Sequence, residues 1–151
     1  VCSPGQIQRY LNKISGPLLD RIDLQVEIAP LPFKDISRAA PGEASSLIRE
    51  LVIAARSRQT ERFKDHRHIH CNAQMTERMI HQYAEPDSAG LELLRTAMER
   101  LSLSARAYSR ILKVARTIAD LAGADHVGSD HLSEAIGYRN LDRGDWAERG
   151  I

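Results

Sequence analysis

The chain is poor in the features that would assign it quickly. Among its 151 residues are two cysteines, Cys2 and Cys71. They leave no disulfide framework to read and point to a reducing compartment. No apolar run approaches the roughly 20 residues that a membrane-spanning helix needs. The opening VCSPGQ is neither a signal peptide nor a transit peptide, so a cytoplasmic protein with no membrane segment is expected. It also opens without an initiator methionine, which suggests a piece of a longer protein. Charge of one sign is missing too. With 21 basic against 20 acidic residues the formal net charge is +1, no case for a strongly basic nucleic-acid binder. There is no Gly-rich phosphate loop, no Ser-His-Asp set and no defensible pair of catalytic carboxylates. Lysine is scarce, with Lys13, Lys34, Lys64 and Lys113 its only examples, so arginine carries most of the positive charge. That bias favours planar, forked recognition of carboxylate or phosphate, although genomic base composition produces it as well.

What is there centres on residues 103–123, LSARAYSRILKVARTIADLAG. Ser104 is a good helix N-cap and Gly123 a good stop, with neither proline nor glycine between them. Ala107, Ile111, Val114, Ile118 and Leu121 recur at spacings of three and four and share one apolar stripe. Arg106, Arg110 and Lys113 form a second stripe on the opposite side, with Arg116 beside it. Like charges on neighbouring turns repel by a few tenths of a kcal/mol per pair. A cation at Arg106, in the first turn, is disfavoured by about 0.3–1 kcal/mol against the helix dipole. A bound anion would reverse both penalties, because backbone N–H and guanidinium groups would point at it together. An exposed, solvated arginine face is the alternative.

In chain order, residues 6–14 read as a short helix with Ile7, Tyr10, Leu11 and Ile14 on its apolar side. Ser15-Gly16-Pro17 breaks it, and residues 18–21 form a compact turn or a single helical turn. Asp23 to Ile28 alternates, with Leu24, Val26 and Ile28 on one side, as a half-buried strand does. A lone strand cannot satisfy its own backbone, so its sheet is expected elsewhere, in sequence outside this chain. Pro30 and Pro32 end it, and residues 33–43 read as a linker with one helical turn. A long helix follows over about 44–63, burying Leu47, Ile48, Leu51, Val52, Ala54 and Ala55, with Arg49, Arg56, Arg58 and Arg62 turned to solvent or a partner. Residues 64–74 are a polar loop. Thr76 caps a short helix to Tyr83 with Met75, Met79 and Ile80 as core candidates. Another helix spans about 88–101 with Leu91, Leu94, Ala97 and Met98. Ser129 or Asp130 caps a last one through Tyr138, burying Leu132, Ala135 and Ile136. The charged tail from Asn140 frays, with Trp146 as its one anchor.

Two short stretches invite a chemical reading. His66, His68 and His70 lead into Cys71, which are transition-metal ligand types. The intervening Arg67 and the lack of a matching ligand pair favour a solvated loop, so no metal site is assigned. In SGPLLDRID (residues 15–23) a Gly-Pro break puts Arg21 on a stiff connection between Asp20 and Asp23. Either those carboxylates tie it up, or it projects toward a neighbouring subunit's phosphate as an arginine finger.

Together, QIQRYLNKISGPLLDRIDLQVEI, GEASSLIRELVIAARSRQTERF and LSARAYSRILKVARTIADLAG occur in the order found in magnesium-chelatase-like AAA+ ATPases of the ComM (YifB) type. The chain resembles the C-terminal portion of that family over nearly its whole length. The resemblance implies a mostly α fold: the helical-bundle lid of an AAA+ ATPase, with an N-terminal remnant of the α/β core made of a helix plus one strand. Residues 1–40 would be the core edge and linker, 41–140 the lid and 141–151 a flexible tail. Arg21 would be the arginine finger acting on ATP of the adjacent subunit. Arg106 would be the sensor-2 residue reaching the γ-phosphate from the lid of its own subunit, with Arg110 as a second nucleotide contact. Cys2 is similar to the end of a cysteine-rich insertion. ATP and Mg2+ are the implied cofactors, a homo-oligomeric ring and DNA the implied partners, and branch migration the implied role. The phosphate loop and the metal-binding acidic motif are absent, so this stretch alone should not hydrolyse ATP. The alternatives are a non-catalytic helical module that binds acidic protein or nucleic-acid phosphate, and a magnesium-chelatase subunit.

Overall fold

The computed structural model describes residues 3–11, 13, 15–19, 21–26, 28, 30–37, 41–101 and 103–139. Their regular structure is helical. In order come α1 (Pro4–Leu11), α2 (Gly16–Leu19), α3 (Phe33–Ser37) and α4 (Ser45–Arg62). A 3-10 turn (Asn72–Gln74) leads to α5 (Glu77–Tyr83), α6 (Ser88–Leu101), α7 (Ala105–Leu121) and α8 (Ser129–Gly137). Among the described residues no helix is long and apolar enough to cross a membrane. The tail from Asn140 with Trp146, and Cys2, lie outside the described residues.

The predicted central helix is the hub. α7 packs against α4, α5, the 3-10 turn and α8, while α6 packs on α8. Both of its ends are fixed as the sequence indicates. The Ser104 hydroxyl accepts from the Ala107 N–H at 3.2 Å. At the other end Gly123 takes φ 71°, a left-handed value that glycine adopts without a Cβ penalty. The Ala124 N–H then reaches the Ala119 carbonyl at 2.8 Å and the Gly123 N–H the Asp120 carbonyl at 3.2 Å. This nested pair of bonds satisfies carbonyls that the helix end would leave open.

The face of α7 that is buried differs from the predicted one. Ala107, Ile111, Leu112, Ala115, Arg116, Ala119 and Asp120 are buried, whereas Val114 and Ile118 are only half-buried and Leu121 is exposed. The buried arc is turned by about one residue, or 100°, from the predicted stripe. Small Ala115 and Ala119 let neighbouring helices approach, and the two charges within that arc go inside because they pair. Around it sit Phe63, Met75, Met79, Ile80, Leu94, Val127, Leu132 and Ala135. Phe63 and Tyr83 meet edge to face with ring centroids 5.9 Å apart.

Other helix ends follow side-chain chemistry. Asp87 accepts the Gly90 N–H at 2.8 Å and so starts α6. Neither Ser129 nor Asp130 caps α8: Gly128 holds the N-cap position, and its N–H donates to His131 Nδ1 at 3.0 Å. Thr76 stands at the start of α5 without a side-chain cap bond.

Two expectations fail in instructive ways. The first half of α4 buries nothing: Leu47, Ile48, Leu51, Val52 and Ala54 are exposed, and burial begins at Ala55 and Gln59. The apolar residues of α4 stop at Ala55, whereas α7 meets the polar C-terminal part through Gln59 and Arg62, and residues 45–54 project past that covered part. The second is the strand. Residues 22–26 and 28 belong to no strand, and Leu24, Val26 and Ile28 are exposed while Gln25 is buried. Among the described residues of 22–28 Gln25 alone is buried, and with no neighbouring strand among them the backbone turns to the end of α8 instead: the Gln25 N–H donates to the Tyr138 carbonyl at 2.9 Å.

Candidate functional site

The side of α7 turned away from its buried arc floors an open groove of about 960 Å³. Val114, Ile118 and Leu121, the residues predicted for the core, form apolar ground there beside Arg106, Arg110 and Lys113. The three cations are in different states. Lys113 Nζ donates to the Ala73 carbonyl at 3.0 Å and stitches α7 to the 3-10 turn. Arg110 Nη1 donates to the Arg21 carbonyl at 2.9 Å and to the Asp23 carboxylate. Arg106, exposed in the first turn, makes no hydrogen bond or ion pair with any described residue. It is the cation of the stripe open to a ligand.

Arg21 lies two residues before Asp23, which lines the groove with Leu24. Its guanidinium is exposed and donates to the Pro17 carbonyl at 2.9 Å, back along its own turn. Asp23, one of the two carboxylates expected to hold it, is taken by Arg110. Asp20, the other, lies outside the described residues. The segment carrying Arg21 is fastened to the bundle at further points, since Arg139 donates to the Ile22 carbonyl and Gln25 donates to Tyr138.

On the opposite side of α7 is a buried charge cluster that sequence reasoning missed. Asp120, with its side chain wholly inside, receives Arg62 Nη2 at 2.5 Å and Nη1 at 2.8 Å. Arg116 adds Nη2 at 2.9 Å, and Asn72 Nδ2 adds a bond of 2.8 Å. Arg116 goes on to the Asp125 and Ala124 carbonyls, and Arg58 to the Gly123 carbonyl at 2.6 Å. Guanidinium groups thus sit on the negative end of the α7 dipole. Arg58, Arg62 and Arg116, expected at solvent or beside the basic stripe, are structural. Burial alone would raise the Asp120 pKa, but hydrogen bonds from Arg62 and Asn72 and the nearby positive charges hold it below its ordinary value. Burial pulls the Arg116 pKa down, with Asp120 acting in the opposite sense. The available signal was an arginine and an aspartate four apart within the run of small residues Ala115 and Ala119.

His66, His68 and His70 are exposed, Cys71 is a free, half-buried thiol, and the described residues hold no group of three or more candidate metal ligands.

Residues 42–139 match the family described as magnesium chelatase, subunit ChlI C-terminal. The chain belongs to that family. Residues 1–36 match the companion family described as magnesium chelatase, subunit ChlI. Among relatives, the uncharacterized protein YifB of Salmonella typhimurium is 44% identical over 144 residues, covering 94% of this chain and 27% of YifB. Competence protein ComM of Haemophilus influenzae is 42% identical over 142 residues, 93% of this chain and 27% of ComM. An uncharacterized Mycobacterium tuberculosis protein is 39% identical over 139 residues, 92% of this chain and 27% of its own length. The chain therefore spans about a quarter of these relatives, their C-terminal quarter.

Proposed function

We propose that the chain is the lid and arginine-finger portion of a ring-forming ATP-driven motor of the magnesium-chelatase-like type, acting on DNA. In this reading residues 1–40 belong to the edge of the ATPase core and 41–140 form the lid. ATP and Mg2+ are held by the preceding part of the longer protein, because this chain has no phosphate loop. An exposed, unengaged Arg106 beside an apolar floor fits a ligand with an anionic end and a flat apolar end, as a nucleotide has. Arg21 supplies a second guanidinium to the phosphate of the adjacent subunit. Charge that develops on a transferring phosphoryl group is stabilised by such prepositioned cations. DNA as the partner is in keeping with a relative named a competence protein.

The observation that carries this reading is the bond from Arg110 to the Arg21 carbonyl. It ties Arg21 to α7 one turn from Arg106. Two arginines borne on one body are best used on one phosphate. That favours Arg106 serving the neighbour's ATP together with Arg21, in place of its own subunit's. Subunit mixing in the full-length protein tests both points. Arg21→Ala and Arg106→Ala should each cut ATP turnover, the first by about 10³–10⁵. Mixed rings of the two mutants should stay inactive, because every junction then lacks one of the pair. Recovery on mixing would put the arginines on opposite sides of the junction, and full turnover by Arg21→Ala would end the catalytic reading.

A further inference from the structure

We propose that Arg110 is a positioning residue for the arginine finger, rather than a nucleotide ligand, and that it couples the finger to the helix carrying Arg106. This rests on the function proposed above. One nitrogen, Arg110 Nη1, donates to both the Arg21 carbonyl and the Asp23 carboxylate. A partly exposed ion pair adds about 0–1 kcal/mol of stability at most, so fold maintenance is not its main effect. Its effect is geometric. The two acceptors flank Ile22, whose own carbonyl is taken by Arg139, and three residues after Ile22 the Gln25 N–H is held by Tyr138. Residues 21–25 are thus laid along the ends of α7 and α8 by bonds that a sheet neighbour would otherwise supply.

The Arg21 side chain has one described partner, the Pro17 carbonyl behind it, so its direction follows from where its backbone is held. Among the side chains of α7, Arg110 is the one bonded to that backbone; Ser109 is engaged by Glu77 and Lys113 by Ala73. Arg106 and Arg110 are four residues apart on one rigid helix, about 6 Å along its axis. Any tilt of α7 that follows phosphate contact at Arg106 is passed directly to the Arg21 carbonyl. Detection of the phosphate and placement of the finger become one movement.

A direct phosphate contact by Arg110 makes different demands. It would be lost with the arginine but would not need Asp23. The test compares Arg110→Ala, Asp23→Ala and the double variant in the full-length protein, with Arg21→Ala alongside. Displacement of a reacting group by about 1 Å costs on the order of 10²-fold in rate. Both single variants should therefore lose about ten- to a hundred-fold in kcat with KM for ATP nearly unchanged. The double variant should be no worse than either. A raised KM in Arg110→Ala with Asp23→Ala silent would overturn the proposal in favour of a phosphate contact. Normal kcat in Arg110→Ala while Arg21→Ala is inactive would overturn it and leave the finger standing. An active Arg21→Ala would instead remove the function on which it rests.

Discussion

Arg62 and Asp120 meet fork to fork across the α4–α7 junction, two nitrogens facing two oxygens at 2.5 and 2.8 Å. The Asp120 side chain is fully buried and Arg62 nearly so, and Arg116 shares the same carboxylate. Removing the carboxylate strands two guanidinium groups inside the protein. Asp120→Ala should cost about 3–5 kcal/mol in denaturant unfolding. Replacing all three charges together with apolar residues of like volume should cost far less. A mild Asp120→Ala would mean that water reaches the cluster.

The same carboxylate gives the chain an acid limit. Its folded pKa lies below the unfolded value of about 3.9, so the unfolded state binds the proton first. The resulting stability is present above pH 4 and is lost as pH falls through the folded pKa. Denaturant midpoints measured from pH 6 down to pH 2 should drop over that window. The drop should be shallower in the triple apolar variant.

Gly90 is held in a tight place. A Cβ there would stand 2.8 Å from Leu132 Cδ1 and 2.8 Å from Pro86 Cβ. Alanine would gain about 1 kcal/mol in helix propensity. Overpacking against a fully buried leucine and a proline ring costs about 1–3 kcal/mol. Gly90→Ala should therefore be a net loss of about 1 kcal/mol in chemical denaturation, and a more stable variant would show that α6 can slide.

Ser104 and Arg106 lie two residues apart and should separate cleanly in a thermal melt of this chain. Ser104→Ala removes a cap and should cost about 1 kcal/mol. Arg106→Ala should leave the melting temperature unchanged or slightly raised, since an unpaired cation leaves the positive end of the helix dipole. A marked fall for Arg106→Ala would make it structural and undo its assignment to a ligand.

Much of the fold was legible because α7 and α4 declare themselves locally. Ser104, Gly123 and an uninterrupted helical pattern fixed one, and the predicted 44–63 span lies within a residue of the other at both ends. What failed was side-facing. Apolar periodicity put Val114, Ile118 and Leu121 inside and Arg116 beside the basic stripe, and gave no place to Asp120. Pairing reversed that choice, because a charge that finds a geometrically matched partner can displace a hydrophobe from the buried arc. Leu47 and Leu51 failed differently, since periodicity reports that a stripe wants cover but not whether this chain supplies it. Of the site, Arg21 and Arg106 were singled out from the sequence. The tie between them through Arg110 was not, because it joins residues about ninety positions apart.

The uncovered half of α4 has a mechanical side. Rooted by Arg58 and Arg62 and bare over residues 45–54, it is an arm about 15 Å long at 1.5 Å per residue. Geometry alone then makes it an amplifier: the Arg62–Asp120 root is about 25 Å from the tip, so a tilt of about 10° there carries the tip roughly 4 Å. A small adjustment of α7 at that root would be enlarged at the exposed N-terminal end of α4.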